Sequence, residues 1–238
     1  MKTLAIMQPT FVPWIGYFAL AEFVDEFILL DDVQFDKRSW QQRNRIKTGH
    51  GIKWLTVPVL SSGKRTQRIN EVQVNQTAKF PRKQMHMLQM EYKKASFFSD
   101  VMPLLTESSL GRDSVEFLCE MNIELIERIA GYLELDASFA LASNFDVEGE
   151  KDVRLFNLCR AAGATHYVSP PGSSDYLNQS KAFASSDIAI SYFRYVHPTY
   201  TQLHGDFESH LSVIDLLMNE GKLSANIIRD GMSESAID

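Results

Sequence analysis

The opening thirty-odd residues constrain the fold more than any other part of the chain. An apolar run at residues 4–7 ends at Gln8, a proline-containing loop covers 9–14, an apolar segment with helical spacing covers 15–24, and a second apolar run at 27–30 ends at Asp31. This order predicts a strand, a loop, a helix and a second strand parallel to the first. Open α/β sheets bind ligands at the carboxyl ends of such strands. We therefore expect Gln8 and the adjacent pair Asp31 and Asp32 to meet at one edge of a sheet.

Length and composition indicate an ordinary globular protein. The chain has 238 residues, 45% of them hydrophobic and 23% charged, which fits a single domain with a substantial core. We expect one α/β domain over residues 1–230, followed by a flexible tail at 231–238. Because no uninterrupted apolar stretch approaches about eighteen residues, we predict a cytoplasmic protein without membrane spans. Cys119 and Cys159 lie in apolar helical contexts without metal-binding spacing, so we expect both to be packing residues.

The rest of the chain extends the same α/β pattern. Strands are predicted at 53–59, 69–74, 139–142, 164–169 and 188–193, and helices at 150–162 and 211–219. A long polar connection is expected at 33–51. Between residues 76 and 135 the apolar spacing changes to that of helices, the second of which would be capped by Asp113 or Ser114. We predict a Rossmann-like, mostly parallel sheet flanked by helices, with a central helical insertion at about 76–135.

Positive charge is concentrated in one segment. Residues 37–83 hold twelve of the 24 Lys and Arg residues and one acid, Glu71, although the net charge of the chain is −6. Such a segment is typical of a surface that binds a phosphate, a nucleotide-sugar or RNA. Ion pairing with acids from elsewhere in the chain is the alternative. Within the segment Arg43 and Arg45, with Asn44 between them, are the best candidates for anion binding, because guanidinium groups bind phosphate and carboxylate in a bidentate manner.

Polar and aromatic residues at the predicted strand ends are candidates for the site. We assign catalysis to Asp32, since adjacent residues of a strand point to opposite faces and one acid of the pair is expected to enter the site. Asp31 is kept as a substrate-binding residue or a loop anchor. Gln8 can bind a hydroxyl or an amide, and Trp14 and Tyr17 can stack on a sugar or a base, although both could equally be core residues.

A second group of candidates lies toward the carboxyl end of the chain. Residues 164–177 repeat the order of the first segment, because a short strand is followed by a proline- and glycine-rich loop. The amides of this loop could hold an anion, and we assign Ser169 and Gly172 to that anion site. His197 follows a strand end, where an imidazole could act as acid or base near neutral pH, so it is the second catalytic candidate. No pattern of metal ligands is present, and we predict no metal site.

Four blocks of sequence together resemble the WbqC-like protein family. They are the opening from Ala5 to Phe18, the run Asp31-Asp32-Val33-Gln34-Phe35, the run Arg43-Asn44-Arg45-Ile46, and the closing segment from Tyr200 and Gln202 to Gly221. The resemblance implies a bacterial cytoplasmic protein associated with O-antigen or other surface-polysaccharide synthesis, with glycine transferase as the suggested activity. It supplies no catalytic residues. Within these blocks Gln34, Tyr200 and Gln202 are polar residues that we expect to bind substrate.

These observations lead to one main functional hypothesis. We expect an aminoacyl transferase, with glycine as the group transferred, or another acyl transferase, acting on the amino group of a nucleotide-linked amino sugar. The donor could be an acyl-adenylate formed from ATP or a charged tRNA. The histidine motif that nucleotidyltransferases carry after their first strand is missing, since residues 13–17 read Pro-Trp-Ile-Gly-Tyr.

Two other hypotheses remain. The chain could be a non-catalytic protein that binds a nucleotide-sugar or another polyanion. It could also bind RNA through the basic segment, in which Trp40, Trp54 and Phe80 are interleaved. The sequence does not predict the oligomeric state.

Overall fold

The computed structural model describes residues 1–76, 79–112 and 115–237. Its strands, in chain order, are β1 (Thr3–Met7), β2 (Glu26–Leu29), β3 (Arg43–Thr48), β4 (Gly51–Thr56), β5 (Phe139–Leu141), β6 (His166–Ser169), β7 (Ala189–Tyr195) and β8 (Met232–Ile237). Its helices are α1 (Ile15–Phe23), α2 (Arg82–Tyr92), α3 (Phe98–Thr106), α4 (Leu118–Leu133), α5 (Lys151–Ala161), α6 (Ser174–Leu177), α7 (Lys181–Ala184), α8 (Val213–Glu220) and α9 (Ser224–Asp230).

A six-stranded sheet in the order β5-β2-β1-β6-β7-β8 forms the centre of the fold. The first five strands are parallel, and β8 runs antiparallel to β7. Helices lie in the connections between the parallel strands, because parallel strands need a crossover connection. The predicted Rossmann-like α/β fold is confirmed.

Side chains alternate along each strand, so neighbouring residues point to opposite faces of the sheet. Each face is covered by other elements and holds its own core cluster. In β1, Ala5 belongs to the larger core cluster, which also holds the buried residues of α1, α4 and α8. Leu4 and Ile6 point the other way, into a second cluster formed with α5. Two buried residues of the β3–β4 hairpin, Ile46 and Leu55, belong to the larger cluster, so the hairpin and α5 cover opposite faces of the sheet.

The stretch between β4 and β5 contains the helical insertion, made of α2, α3 and α4. One face of α4 is apolar and buried through Leu118, Met121, Leu125 and Ile129, a spacing that places these side chains on a single stripe. The helix begins at Leu118, later than predicted, and the proposed caps Asp113 and Ser114 lie outside the described residues. No helix in the described part of the chain is long and apolar enough to cross a membrane.

Three segments differ from the prediction. The connection expected at 33–51 contains β3, which pairs with β4 in a separate hairpin. Asn44 and Ile46 face the core, while Arg43 and Arg45 lie on the other face of β3. The strand expected at 69–74 is instead a 3-10 turn, Ile69–Glu71, which the Glu71 carboxylate closes by accepting the Arg68 backbone N–H at 2.8 Å.

The third difference is at the carboxyl terminus. Residues 232–237, expected to be part of a flexible tail, form β8 along the free edge of β7. An edge strand offers a row of unpaired backbone N–H and C=O groups, and an added strand satisfies them. Pairing along this edge explains why a polar segment is ordered there.

Candidate functional site

A cleft of about 1530 Å³ opens at the carboxyl ends of β1, β2 and β6. In the sheet, β2 lies on one side of β1 and β6 lies on the other side. The strand order therefore reverses direction between β1 and β6, which makes this position the topological switch point of the sheet. Open α/β sheets bind their ligands at this position. Five predicted residues line the cleft: Gln8, Asp32, Gln34, Ser169 and Gly172.

Asp32 forms an ion pair with Arg154 inside the cleft. Asp32 follows β2 and Arg154 lies in the first turns of α5, and their side chains are 11% and 13% exposed. Arg154 also donates from Nη1 to the Val147 carbonyl at 2.6 Å, which fixes the guanidinium. The contact joins Asp32 Oδ2 to Arg154 Nη2, whereas Oδ1 is buried without a hydrogen-bond partner among the described residues. That oxygen can accept a hydrogen bond from a ligand.

Gln8 is held by a second amide. Gln41 donates from Nε2 to Gln8 Oε1 at 2.8 Å, while Gln41 Oε1 accepts the Asp36 backbone N–H at 3.0 Å. Tyr17 donates its hydroxyl hydrogen to the Gln8 backbone carbonyl at 3.3 Å, and this bond supports the loop. Tyr17 does not itself line the cleft. With its oxygen engaged, Gln8 presents the amide N–H groups to a ligand.

The loops on this side of the cleft are anchored by helix α4. Asn122 is fully buried, and its Nδ2 donates to the carbonyls of Pro9 at 3.0 Å and Gln41 at 2.8 Å. One amide therefore fixes both the loop after β1 and the segment that carries Gln41. The sequence offers a signal for this residue, because Asn122 is a polar side chain within the buried stripe of an amphipathic helix.

Charge is distributed unevenly around the cleft. The segment between β5 and α5, together with the first two residues of α5, contributes four acids, which are Asp146, Glu148, Glu150 and Asp152, and also Lys151. This segment packs with the α5 side of the sheet, whereas the other side contributes Arg68, Trp40 and the amides of Gln34 and Gln41. A ligand with a cationic end and an anionic end would match this distribution.

Hydroxyl groups in the loop after β6 mainly bind each other. Ser169 Oγ lies 2.7 Å from Ser173 Oγ, and Ser173 Oγ donates to the Pro170 carbonyl at 2.7 Å. The loop leads into a single short helical turn, α6. Ser169 and Gly172 line the cleft, but the serine hydroxyls stabilise the loop.

His197 and Trp14 lie outside the cleft, in a cluster of aromatic rings. Trp14 stacks on His210 with ring centroids 5.2 Å apart, and on His197 at 6.2 Å. His197 Nδ1 lies 2.8 Å from the Pro198 carbonyl. Burial lowers the pKa of His197, and the hydrogen bond to Pro198 opposes that effect. The structure does not bring His197 together with Asp32, because residues 196–210 fold back toward the start of α1.

Asp31 and Asn44 hold the backbone in place. Asp31 accepts the Ser143 backbone N–H at 2.9 Å through Oδ1, as expected of a loop anchor, and it does not line the cleft. Asn44 is buried and donates to the Val12 carbonyl at 2.8 Å. Both therefore join segments that are distant in the chain.

Tyr200 and Gln202 belong to a buried polar network beneath β3. Tyr200 donates to Asp215 Oδ2 at 3.0 Å, and Tyr92 donates to Asp215 Oδ1 at 2.7 Å. Gln202 Oε1 accepts from Lys47 Nζ at 3.1 Å. Neither Tyr200 nor Gln202 lines the cleft.

Arg43 and Arg45 lie beside the cleft, each against an indole ring. The guanidinium carbon of Arg43 is 4.2 Å from the Trp54 ring centroid, and that of Arg45 is 5.8 Å from the Trp40 centroid. Arg45 also donates to the His210 carbonyl at 2.9 Å. Of these four side chains, Trp40 lines the cleft.

Sequence reasoning missed Arg154, Gln41 and Asn122, and it named Trp40 in the RNA-binding alternative alone. Arg154 could have been found, since the first turn of a crossover helix lies at the same edge as the strand ends. Among the described residues no group of three or more His, Cys, Asp or Glu side chains is arranged to hold a metal ion.

Comparison with known proteins places the chain in a family. The model of the WbqC-like protein family matches residues 8–227. A protein of Mycobacterium tuberculosis (strain ATCC 25618 / H37Rv), named uncharacterized protein Rv1507c, is 36% identical over 230 residues, which cover 96% of this chain and 98% of that protein. No solved structure matches the chain. The chain therefore belongs to the WbqC-like protein family.

Proposed function

We propose that this chain is an aminoacyl or acyl transferase that acylates the amino group of a nucleotide-linked amino sugar in the synthesis of bacterial surface polysaccharide. Glycine is the first group to test. The observation that carries the proposal is the cleft at the switch point. It combines a carboxylate oxygen of Asp32 that has no hydrogen-bond partner among the described residues with an acidic segment on one side and Arg68 on the other. An amino sugar linked to a diphosphate has the matching separation of charge.

Recognition of the acceptor would begin at Asp32. Its Oδ1 accepts a hydrogen bond from the sugar amine, while the pair with Arg154 keeps the carboxylate oriented. Charge-assisted hydrogen bonds of this kind are stronger than neutral ones. The N–H groups of Gln8 donate to a neighbouring hydroxyl. Acids of the 146–152 segment favour the ammonium form on arrival.

The transfer itself needs an activated donor, which we assign to the class of acyl-adenylates or aminoacyl-tRNA esters. The ammonium first loses one proton to solvent, and the nitrogen lone pair then attacks the acyl carbonyl carbon. As the C–N bond forms, the C–O bond to the leaving group breaks and its electron pair leaves on oxygen, as AMP or as the tRNA ribose oxygen. Asp32 takes the second amine proton; with a tRNA donor this proton passes to the released ribose oxygen.

A direct assay tests the proposal. The protein is incubated with a panel of nucleotide-linked amino sugars and radiolabelled glycine, with ATP in one series and with charged tRNA in another. Label should move to one acceptor, and Asp32→Asn should remove that product. Asp100→Asn, a change on the exposed side of α3, is the matched control and should retain activity. Absence of product in every combination would rule the proposal out.

A binding protein without catalysis is the second candidate. It is favoured by one observation, namely that Asp32 and His197 do not share the cleft. Calorimetry against the same acceptor panel would then show saturable binding without turnover. In that case Asp32→Asn would lower the affinity for the acceptor, and neither the wild type nor the variant would transfer an acyl group.

A further inference from the structure

Two exposed tryptophans and two arginines form a surface at the mouth of the cleft, here called the Trp-Arg platform. It consists of Trp40, Arg43, Arg45 and Trp54. The two indole centroids are 5.4 Å apart with their planes tilted by 40°, and the residues are 48% and 42% exposed. Large aromatic residues exposed as a pair are characteristic of binding surfaces.

The β3–β4 hairpin builds this platform through its register. Arg45 lies opposite Trp54, and Arg43 opposite Thr56, so these side chains share the outward face. The inward face buries Asn44 and packs the hairpin on the core. Because the hairpin is anchored from below, the outward side chains are presented on a rigid element.

The arginines of the platform are held in fixed positions. Arg45 donates from Nη2 to the His210 carbonyl at 2.9 Å, and the Nε atoms of Arg43 and Arg45 are buried, so we assign the phosphate contact to the remaining Nη groups. Each guanidinium packs against an indole ring, an arrangement that orients the flat donor group. An oriented guanidinium suits a phosphate, which it can bind in a bidentate manner.

The platform is continuous with the cleft. Trp40 lines the cleft as well as the platform. The next residue, Gln41, binds Gln8 at the end of β1. A ligand that stacks on Trp40 therefore extends directly toward Gln8 and Asp32.

We propose that the Trp-Arg platform binds the nucleobase and phosphate of the nucleotide-linked substrate, while the sugar reaches into the cleft. The base stacks on the exposed indoles, and the arginines bind phosphate oxygens. The assignment of the amine end to Asp32 rests on the proposed function. Nucleotide binding by the platform does not, because it depends on Trp40, Trp54, Arg43 and Arg45 alone.

A mononucleotide fits these observations better than an RNA strand. The platform offers one pair of indoles, whereas proteins that bind single strands present successive stacking positions along a cationic groove. Beyond Trp40 the cleft leads to Asp146, Glu148, Glu150 and Asp152. These acids would repel a continued phosphate backbone, but they suit the amino group of a sugar.

Calorimetry with simple nucleotides tests the platform without an acceptor or a donor. The probes are UDP, CDP, ADP, GDP and inorganic pyrophosphate. At least one nucleoside diphosphate should bind more tightly than pyrophosphate. Trp54→Ala and Trp40→Ala should each weaken that binding roughly tenfold or more, and Trp40→Phe should restore most of it, because a phenyl ring still stacks.

Arginine variants test the phosphate contact. Arg43→Gln and Arg45→Gln should weaken the diphosphate more than the parent nucleoside. Arg112→Gln is the control, since this exposed arginine pairs with Glu124 away from the cleft and its loss should leave affinity unchanged. Circular dichroism and thermal unfolding establish that each variant is folded before its affinity is compared.

Three results would overturn the inference. They are the absence of binding by every nucleoside diphosphate, an affinity unchanged by the tryptophan variants, and binding of a single-stranded RNA decamer through the platform in place of mononucleotides. The proposed function fails separately. If nucleotides bind through the platform and no acyl transfer is found, only the transferase proposal is overturned. If Trp54→Ala transfers the acyl group as well as the wild type does, only the proposed role of the platform is overturned.

Discussion

Gln41 and Gln8 are joined by a hydrogen bond of 2.8 Å between residues 33 positions apart in the chain. The bond fixes the end of β1 to the segment that carries Trp40, so a single pair of amides aligns the cleft with the Trp-Arg platform. It also determines what Gln8 offers a ligand, because its side-chain oxygen accepts from Gln41 while its N–H groups donate to none of the residues that the structure describes.

Gln41→Ala should lower the free energy of unfolding by about 1–3 kcal/mol, since it leaves buried polar groups without partners. Gln41→Glu should also lower stability, because it places a carboxylate at a position that is 1% exposed, although the Gln8 amide can rotate to donate to it. Gln8 would then present its oxygen to the cleft, so the ligand affinity of the folded variant should change as well. Urea denaturation and calorimetry measure the two effects, and Gln84→Ala, which removes a buried amide bound to the Thr56 carbonyl, controls for stability alone.

Asp32 and Arg154 should behave as a coupled pair. Asp32→Ala leaves a mostly buried guanidinium unpaired and should cost about 3 kcal/mol of stability. Asp32→Leu combined with Arg154→Met should recover most of this loss, because two apolar side chains replace the ion pair, but it should not recover ligand binding. Urea denaturation of the single and double variants measures the coupling energy. If the loss of unfolding free energy in the double variant equals the sum of the two single losses, the residues are not coupled.

Gly16 is needed because of its contact with Trp14. A Cβ at position 16 would lie 2.3 Å from the Trp14 ring, and that ring cannot easily move because His210 and Tyr195 pack against it. Gly16→Ala should therefore destabilise the protein by about 1–3 kcal/mol. Gly131→Ala is the control, since a Cβ there meets no atom within 4 Å and should stabilise α4 by about 0.5–1 kcal/mol. Equal thermal shifts in the two variants would disprove the steric explanation.

Asp215 should make stability depend on pH. Burial raises the pKa of its carboxyl group, although hydrogen bonds from Tyr92 and Tyr200 and the charge of Lys47 oppose the rise. The folded state then holds this proton more tightly than the unfolded state, so the favourable contribution is complete below about pH 4 and is lost as the pH rises through the raised pKa. The stability of the wild type relative to Asp215→Asn should therefore fall as the pH rises above about 4.

Asp25 provides a control of opposite sign. Hydrogen bonds from Thr3 lower the pKa of its carboxyl group. Its contribution is therefore present above the unfolded pKa of about 4 and is lost as the pH falls. Asp25→Asn should show the reverse slope in the same denaturation series, and a common slope for both variants would indicate a general charge effect.

The parallel sheet was predictable because its strands are apolar runs bounded by proline, glycine and polar residues. The predicted run at 27–31 corresponds to β2, and the run at 188–193 to β7. The β3–β4 hairpin was not recognised as a hairpin, because the alternation in β3 separates Arg43 and Arg45 from Asn44 and Ile46. A strand with one charged face and one partly polar face has a sequence similar to that of a polar loop. Packing against the core is what distinguishes such a strand from a loop.

The strand-end rule found part of the candidate site. It correctly indicates that Gln8, Asp32 and Ser169 share one edge of the sheet. It cannot tell where a chain goes after leaving the edge, and so it grouped His197 with Asp32 although the segment after β7 returns to α1. The roles assigned to these residues in binding and catalysis stay predictions.

Asn122 connects the helical insertion to the cleft, and this has a consequence for the order of assembly. Its two hydrogen bonds span 113 and 81 positions of sequence, so the loops around Gln8 and Gln41 acquire their shared anchor only after α4 has been synthesised and docked. The sheet could gain its first parallel pair earlier, from residues that are close in sequence. The candidate site is thus completed late in the synthesis of the chain, and its completion depends on the docking of α4, a helix with no side chain among the described lining residues of the cleft.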